Sequence, residues 1–207
     1  MTIYLDIEIL DWFQDPEIAK LPRWRQHAAL RFGLATTYDE NNGWLTWWPD
    51  QIKDLWLRIC TTPGPIVTWN GDEFDIPYLI VQAVREGITT DPWQQLPPSF
   101  DLMALIRRES KRMDVKERWY KLEAIAYANL GRGKIGHGDE AAAWLRSGDP
   151  ALIAQAADYC RDDVQLVKEL HERLLSGLSL ICPARPERRE YQELRVTLPE
   201  QEATVEN

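Results

Sequence analysis

Four carboxylates and a phenol stand out as residues that could do chemistry together. Asp6 and Glu8 lie in Tyr4-Leu5-Asp6-Ile7-Glu8-Ile9-Leu10, a short apolar run rich in β-formers that reads as a buried strand. Side chains alternate along a strand, so Ile3, Leu5, Ile7 and Ile9 share one face and Asp6 and Glu8 the other. Buried charge is costly unless it is paired or bound to a metal. The plainer reading puts both acids near a strand end or beside arginines. Asp75 follows a later strand in Trp69-Asn70-Gly71-Asp72-Glu73-Phe74-Asp75-Ile76-Pro77, where an Asp before a helix with Pro in its first turn also reads as a cap. Capping and metal binding are compatible, because a capping Asp has a fixed orientation. Asp163 lies in Asp158-Tyr159-Cys160-Arg161-Asp162-Asp163-Val164. At 100° per residue it falls within the apolar stripe of Ala156, Cys160, Val167, Leu170 and Leu174, with Tyr159 at the edge one turn earlier and Asp162 pointing away. An acid on a buried helix face is the less common arrangement. Its simplest alternative is one buried salt bridge, with the tyrosine as filler. Four carboxylates brought together would repel one another and offer oxygen ligands to hard cations such as Mg²⁺.

The elements expected to position these groups follow in order. Asp11 to Arg25 reads as irregular, interrupted by Pro16 and Pro22. Residues 28–38 read as a second strand, Asp39 to Gly43 as a turn and residues 44–48 as a third strand, giving an antiparallel meander. Asp50 is expected to cap a helix with Ile52, Leu55, Trp56 and Ile59 on one face, stopped by Pro63-Gly64-Pro65. Residues 66–69 read as a buried strand, and a helix is expected over 75–85. After a proline-bearing loop over 87–98, helices are expected over 101–112, 122–130, 140–146 and 150–175. This order predicts an α/β fold, a mixed sheet with helices on its faces rather than a pure Rossmann repeat. Residues 1–180 form the expected domain, and 181–207 a charged, proline-containing extension with one candidate strand over 191–198.

With 207 residues, 44% hydrophobic, the chain has ample material for one core, to which its ten tryptophans are assigned. No segment has the length of a membrane-spanning helix and the start does not resemble a signal peptide. Three cysteines without a CxxC pair (Cys60, Cys160, Cys182) read as reduced thiols, so a cytoplasmic protein is expected. A formal charge of −9 argues against nucleic-acid binding by bulk positive charge, but not against meeting phosphate through metal ions held by acids. Arg107 to Arg118, with six cations and three acids, reads as a solvated helix face or a phosphate-tracking patch. Gly131-Arg132-Gly133-Lys134 is not a Walker loop, since Ala128 and Ile135 break the pattern. His27, His137 and His171 are scattered and read as structural or exposed.

Asp-x-Glu on a first strand, Asn-x3-Phe-Asp after a fourth strand and Tyr-x3-Asp on a late helix resemble the DEDD superfamily of 3′→5′ exonucleases. The histidine branch would carry His at position 158, so the match is to the tyrosine branch. The wording is most similar to the proofreading exonuclease domain of B-family DNA polymerases: Asp6-Ile7-Glu8, Asn70-x3-Phe74-Asp75-Ile76-Pro77-Tyr78, Tyr159-Cys160-x2-Asp163, and the stretch 122–134 between them. The resemblance spans about residues 3–175 and implies a ribonuclease H-like fold; with no polymerase segment following, it implies a stand-alone exonuclease. It also implies hydrolysis of single-stranded nucleic acid, DNA over RNA, from the 3′ end with two Mg²⁺ or Mn²⁺ ions, and replication or repair proteins as partners. By the same resemblance Asp6 bridges both ions, Glu8 and Asp163 complete the site of the attacking water, Asp75 serves the second ion and Tyr159 orients that water. Phe74 is a candidate to stack on terminal bases. Asn70 either contacts substrate or holds its loop, and Lys134 matches a lysine that reaches phosphate. Ile9 departs from the family, where a Thr or Ser helps seat the terminal nucleotide. Two other functions fit the same fold: a non-catalytic nucleic-acid-binding or scaffold protein, and an endonuclease.

Overall fold

The alternation in the first strand divides the molecule into layers. In a computed structural model of the chain, which describes residues 1–113, 120–136, 138–183 and 194–198, β1 spans Ile3–Ile9. Ile3, Leu5 and Ile7 enter one apolar core and Tyr4 enters another on the opposite face. Helices α1 (Pro16–Ala19) and α2 (Arg23–Ala29) occupy the stretch expected to be irregular. Pro16 stands in the first turn of α1 and Pro22 is the N-cap of α2, positions where proline starts a helix instead of breaking one. The second strand therefore begins later than expected: β2 is Phe32–Asp39, followed by β3, Gly43–Trp47. Asp39 folds the connecting turn by accepting from the N–H groups of Asn41 and Asn42.

A 3₁₀ turn over Pro49–Gln51 leads into α3, Ile52–Cys60, which buries Leu55, Trp56 and Ile59. Asp50 lies inside that turn and does not cap α3, correcting the expected cap. Strand β4 (Ile66–Thr68) is followed by α4 (Asp75–Arg85), the short α5 (Pro92–Gln95) and β5 (Ser99–Asp101). The sequence reading missed β5, whose three residues carry no usable periodicity. Helices α6 (Leu102–Arg112), α7 (Leu122–Leu130), α8 (Gly138–Arg146) and α9 (Pro150–Leu175) follow.

The main sheet has the order β3-β2-β1-β4-β5, with β1 antiparallel to β2 and parallel to β4, and β4 parallel to β5. This is the expected α/β mixed sheet. The side of Ile3, Leu5 and Ile7 packs against α3 and α4, and the side of Tyr4 and Val67 against α6, α7 and α9. A second hairpin, β6 (Leu180–Cys182) with β7 (Leu194–Val196), closes the latter core, its Leu180, Cys182, Leu194 and Val196 fully buried. The candidate strand over 191–198 is thus seen at 194–196, and its first three residues, with most of the extension, lie outside the described residues. Among the described tryptophans Trp56 is buried, Trp44, Trp47, Trp48, Trp69 and Trp144 are half-buried against the cores, and Trp93 is exposed. No helix among the described residues is long and apolar enough to cross a membrane.

Candidate active site

The carboxyl end of β1 meets the N-terminus of α4 and the middle of α9, and there the five predicted groups come together. Asp6 and Glu8 occupy the β1 face that carries Tyr4, Asp6 partly buried and Glu8 9% exposed. A bulge beside Glu8 helps to present it. The register with β2 slips between Glu8 and Ile9, leaving Gly33 as the extra residue. A Cβ on Gly33 would lie 2.8 Å from the Glu8 carbonyl oxygen, so only glycine lets the two strands approach there.

Asp75 is the first residue of α4, and the N-cap is Phe74, without a side-chain cap bond. The expected capping role is thereby corrected: Asp75 is 2% exposed, its Oδ1 has no hydrogen-bond partner, and the N–H of Ile7 on β1 partly stabilises its charge. The loop before it is tied by Asp101, expected from sequence only as the first residue of the helix over 101–112 and found as its N-cap. Its carboxylate caps α6 through Met103 and Ala104 and also accepts from the N–H groups of Asn70, at 2.9 Å, and Asp72. The signal was available, since an Asp directly before an amphipathic helix is a capping pattern. Asn70 takes φ 68°, and a Cβ on Gly71 would lie 2.2 Å from Thr68 Oγ1, so the loop turns tightly enough to place Asp75 against β1.

On α9 the predicted stripe is the buried face: Ala156, Cys160, Asp163, Val167, Leu170 and Leu174 all face inward, with Tyr159 1% exposed. Asp162 instead pairs with Arg132, which also bridges to Glu169 and clamps the 131–134 loop onto α9. That clamp delivers Lys134, whose Nζ is 2.5 Å from Asp163 Oδ2 and 4.8 Å from the centre of the Tyr159 ring. The other Asp163 oxygen, Oδ1, has no hydrogen-bond partner.

Electrostatics tie the acids into one group. Burial pushes Glu8 well above the usual carboxylate range, and Asp6, Asp163 and Asp75 push the same way, opposed by Lys134. Burial and then Asp6 raise Asp75. They also push Asp163 up to about 7, against Lys134 and the Tyr159 hydroxyl. Asp6 itself is raised by burial and held back by Lys134, the Cys160 thiol and the Ile7 N–H. Burial and the neighbouring acids push the Tyr159 phenol upward, so it keeps its proton and donates toward Asp163. Lys134 stays charged: burial opposes its charge, and Asp163, Asp6 and Glu8 outweigh that.

The site opens into two clefts. One, of 290 Å³, runs past Glu8, Ile9, Phe13 and Phe74; the other, of 370 Å³, lies between Phe13, His27, Asn70 and Phe74. Phe13, His27 and Phe74 form a ring cluster with centroids 5.5–6.0 Å apart. Phe74 and Asn70 are candidates from sequence, whereas Phe13 lies in the stretch expected to be irregular and His27, expected to be structural or exposed, lines the 370 Å³ cleft. Of the basic segment, Arg107 pairs with Glu73, and Arg108 and Arg112 with Glu109, as a solvated helix face would; Lys116, Arg118 and His137 lie outside the described residues. His171 is a core residue, hydrogen-bonded to Tyr4 at 3.0 Å.

A family model described as the RNase_H superfamily matches residues 32–175, a span that includes Asp75, Lys134, Tyr159 and Asp163. The chain is similar to DNA polymerases of Thermococcus aggregans, 30% identical over 130 residues, and Pyrococcus horikoshii, 30% identical over 142 residues. These matches cover 52% and 58% of this chain, which spans only 7% and 11% of the two relatives' lengths. The structure of the family B DNA polymerase from the hyperthermophilic archaeon Pyrobaculum calidifontis superposes with a TM-score of 0.60 at 17% identity, covering 84% of this chain and 24% of that one. The mixed sheet and the family match agree: the chain belongs to the RNase_H superfamily.

Proposed function

We propose that the protein is a divalent-metal-dependent 3′→5′ exonuclease of the tyrosine-branch DEDD type acting on single-stranded nucleic acid, DNA in preference to RNA. The observation that carries this reading is the position of Asp6. A carboxylate oxygen of Asp6 lies within 4.8 Å of one of Glu8, and its charge raises Glu8, Asp75 and Asp163 alike, which makes it the hub of the acidic group. The donors suit hard cations such as Mg²⁺ or Mn²⁺: they are carboxylates that raise one another's pKa, and two buried oxygens, Asp75 Oδ1 and Asp163 Oδ1, lack a partner. A folded protein retains mutually repelling buried acids at a cost that bound cations would relieve.

Asp6, Glu8, Asp75 and Asp163 would hold the ions, with Asp6 as the shared ligand. A pair of divalent cations, when bound, supplies an acidified water and relief of charge on the leaving 3′-oxygen. The protein's own groups do the rest. Tyr159 keeps its proton and is a hydrogen-bonding guide for the attacking water, not its base. Lys134 stays an ammonium beside Asp163, where it can meet a phosphate oxygen. Phe74, with Phe13, gives the clefts an aromatic wall on which a terminal base can stack irrespective of sequence. Asn70, whose backbone N–H is held by Asp101 while its side chain lines the 370 Å³ cleft with Oδ1 unpartnered, would contact substrate or hold its loop.

A 5′-labelled single strand incubated with Mg²⁺ or Mn²⁺ tests this. A ladder shortening from the 3′ end is expected, lost with EDTA and in Asp6→Ala, slower on a matched RNA strand, with a circular single strand untouched. A linear strand left intact in both metals contradicts the proposal, and cleavage of the circle identifies an endonuclease.

A further inference from the structure

We propose that Cys160 turns the acidic cluster into a mixed thiolate–carboxylate site for a soft divalent cation, Zn²⁺ or Cd²⁺, which would occupy it in competition with Mg²⁺ or Mn²⁺. The inference rests on the metal role given above to Asp6 and Glu8. The Cys160 Sγ lies 3.4 Å from Asp6 Oδ2, and ligand atoms of Asp6, Glu8 and Cys160 all lie within 4.8 Å of one another. A tetrahedral Zn²⁺ with a Zn–S bond of about 2.3 Å and a Zn–O bond of about 2.0 Å spans an S···O edge of roughly 3.5 Å. The existing Sγ···Oδ2 separation is thus already that of two ligands on one tetrahedral ion, and no backbone movement is needed to make the pair bidentate.

A thiol against a carboxylate is no site by itself, and a second observation points to a cation here. Asp163, three residues along α9, is 3% exposed with Oδ1 unpartnered, and its charge acts on both Glu8 and Cys160. The cluster therefore holds a buried carboxylate oxygen that no hydrogen bond satisfies. Cys160 is fully buried, and Glu8, whose ligand atom lies within 4.8 Å of those of Asp6 and Cys160, lines the 290 Å³ cleft and is the member of the trio that an entering ion would meet first. On binding, the S–metal bond replaces the S–H bond and the proton leaves to water, with no change of oxidation state. Mg²⁺ and Mn²⁺ prefer oxygen and would leave the thiol alone, whereas softer ions would be held by it.

Co²⁺ is the probe, because a thiolate ligand gives it a charge-transfer band in the near ultraviolet. The wild-type protein titrated with Co²⁺ should develop this band, Cys160→Ser should lose it, and Cys60→Ser should keep it. Cd²⁺ should displace bound Mn²⁺ from the wild type, and its apparent affinity should fall roughly 10- to 100-fold in Cys160→Ser, the scale for losing a metal-site group. Absence of the band in the wild type, or its persistence in Cys160→Ser, overturns the proposal. If Cys160→Ser does not fold, the double variant Cys60→Ser/Cys182→Ser, with Cys160 as its one thiol, decides: the band present supports the site and its absence overturns it. Mn²⁺ binding followed in parallel separates the two readings. Mn²⁺ bound without a cobalt–sulfur band sinks the thiol site alone, and the band without Mn²⁺ binding supports the thiol site while contradicting the proposed nuclease chemistry.

Discussion

Asp39 and Asp163 are buried to nearly the same degree, 1% and 3% exposed, and their surroundings treat them in opposite ways. Asp39 is saturated: it pairs with Arg58 and accepts from the N–H groups of Asn41 and Asn42, each at 3.0 Å, and from the Asn42 side chain. Burial works against its charge, but these partners outweigh burial and hold its pKa below the usual value. Asp163 has Lys134 on one oxygen and nothing on the other, and burial followed by the Asp6 charge carries its pKa upward. A buried acid that serves the fold is given its partners by the fold. One left short of partners, among its own kind, is arranged for something that arrives from outside.

The largest way to break this comparison is to neutralise one acid of each kind. Asp6→Asn should lower metal-dependent nuclease turnover by at least about 10²–10³-fold, the scale for losing one electrostatic stabiliser, while the protein stays folded. Asp39→Asn should leave turnover unchanged where the protein is folded but cost about 2–3 kcal/mol in denaturant unfolding, because a charge-assisted hydrogen-bond network is lost. Effects exchanged between the two variants would refute the distinction.

Cation binding should come next in size. Mn²⁺ at a hundredfold excess over its dissociation constant should stabilise the wild type by about 2.7 kcal/mol. That corresponds to a rise of about 5–10 °C in Tm for a chain of this length, reversed by EDTA and largely absent in Asp6→Asn.

The two acids also predict opposite responses to pH. Between the ordinary value of 3.8 and about 7, folded metal-free protein keeps a proton on Asp163 that the unfolded chain has released. Its stability therefore falls as pH rises across that window, and Glu8, Asp75 and Asp6, all raised, act with the same sign. Asp39 has the opposite sign: its contribution is present above 3.8 and is lost as pH falls through its depressed value. Buried His171, whose pKa burial lowers to about 4, acts the other way below its ordinary 6.5. Thermal melts in EDTA from pH 4 to pH 8 should therefore show a decline for the wild type relative to Asp163→Asn, which shares His171, and saturating Mn²⁺ should flatten it. The smallest effect sharpens the contrast. Asp75→Asn, which removes one charge from the repelling group, should raise Tm in EDTA by about 2–4 °C, equivalent to roughly 1 kcal/mol.

What could be read from the sequence follows the same division. Period-2 alternation in β1 and the 100° projection of α9 put Asp6, Glu8 and Asp163 on inward faces, because side-chain direction is fixed by local backbone geometry. The bounds of α4, α7 and α9 were legible because their periodicity is long. Strands β5 and β6 were not, since three residues make no pattern and their pairing partners are distant in the chain. A buried salt bridge is the simpler expectation for Asp163 and one is present, but neither Lys134 as its partner nor the Asp101 tether on Asn70 is legible in sequence, as both depend on how loops meet in space. Phe13 carries no signal in a stretch where Pro16 and Pro22 read as breakers of helices that they in fact begin, and nothing local to His27 tells that its ring packs with Phe13 and Phe74.

Anomalous diffraction from crystals soaked in Mn²⁺ is the most direct measurement on the acidic cluster. Two peaks about 3.5–4 Å apart are expected, both in contact with Asp6, with Glu8 and Asp163 on one and Asp75 beside the other. A map with no peak among these four carboxylates, at a Mn²⁺ concentration that supports cleavage in solution, would contradict the account.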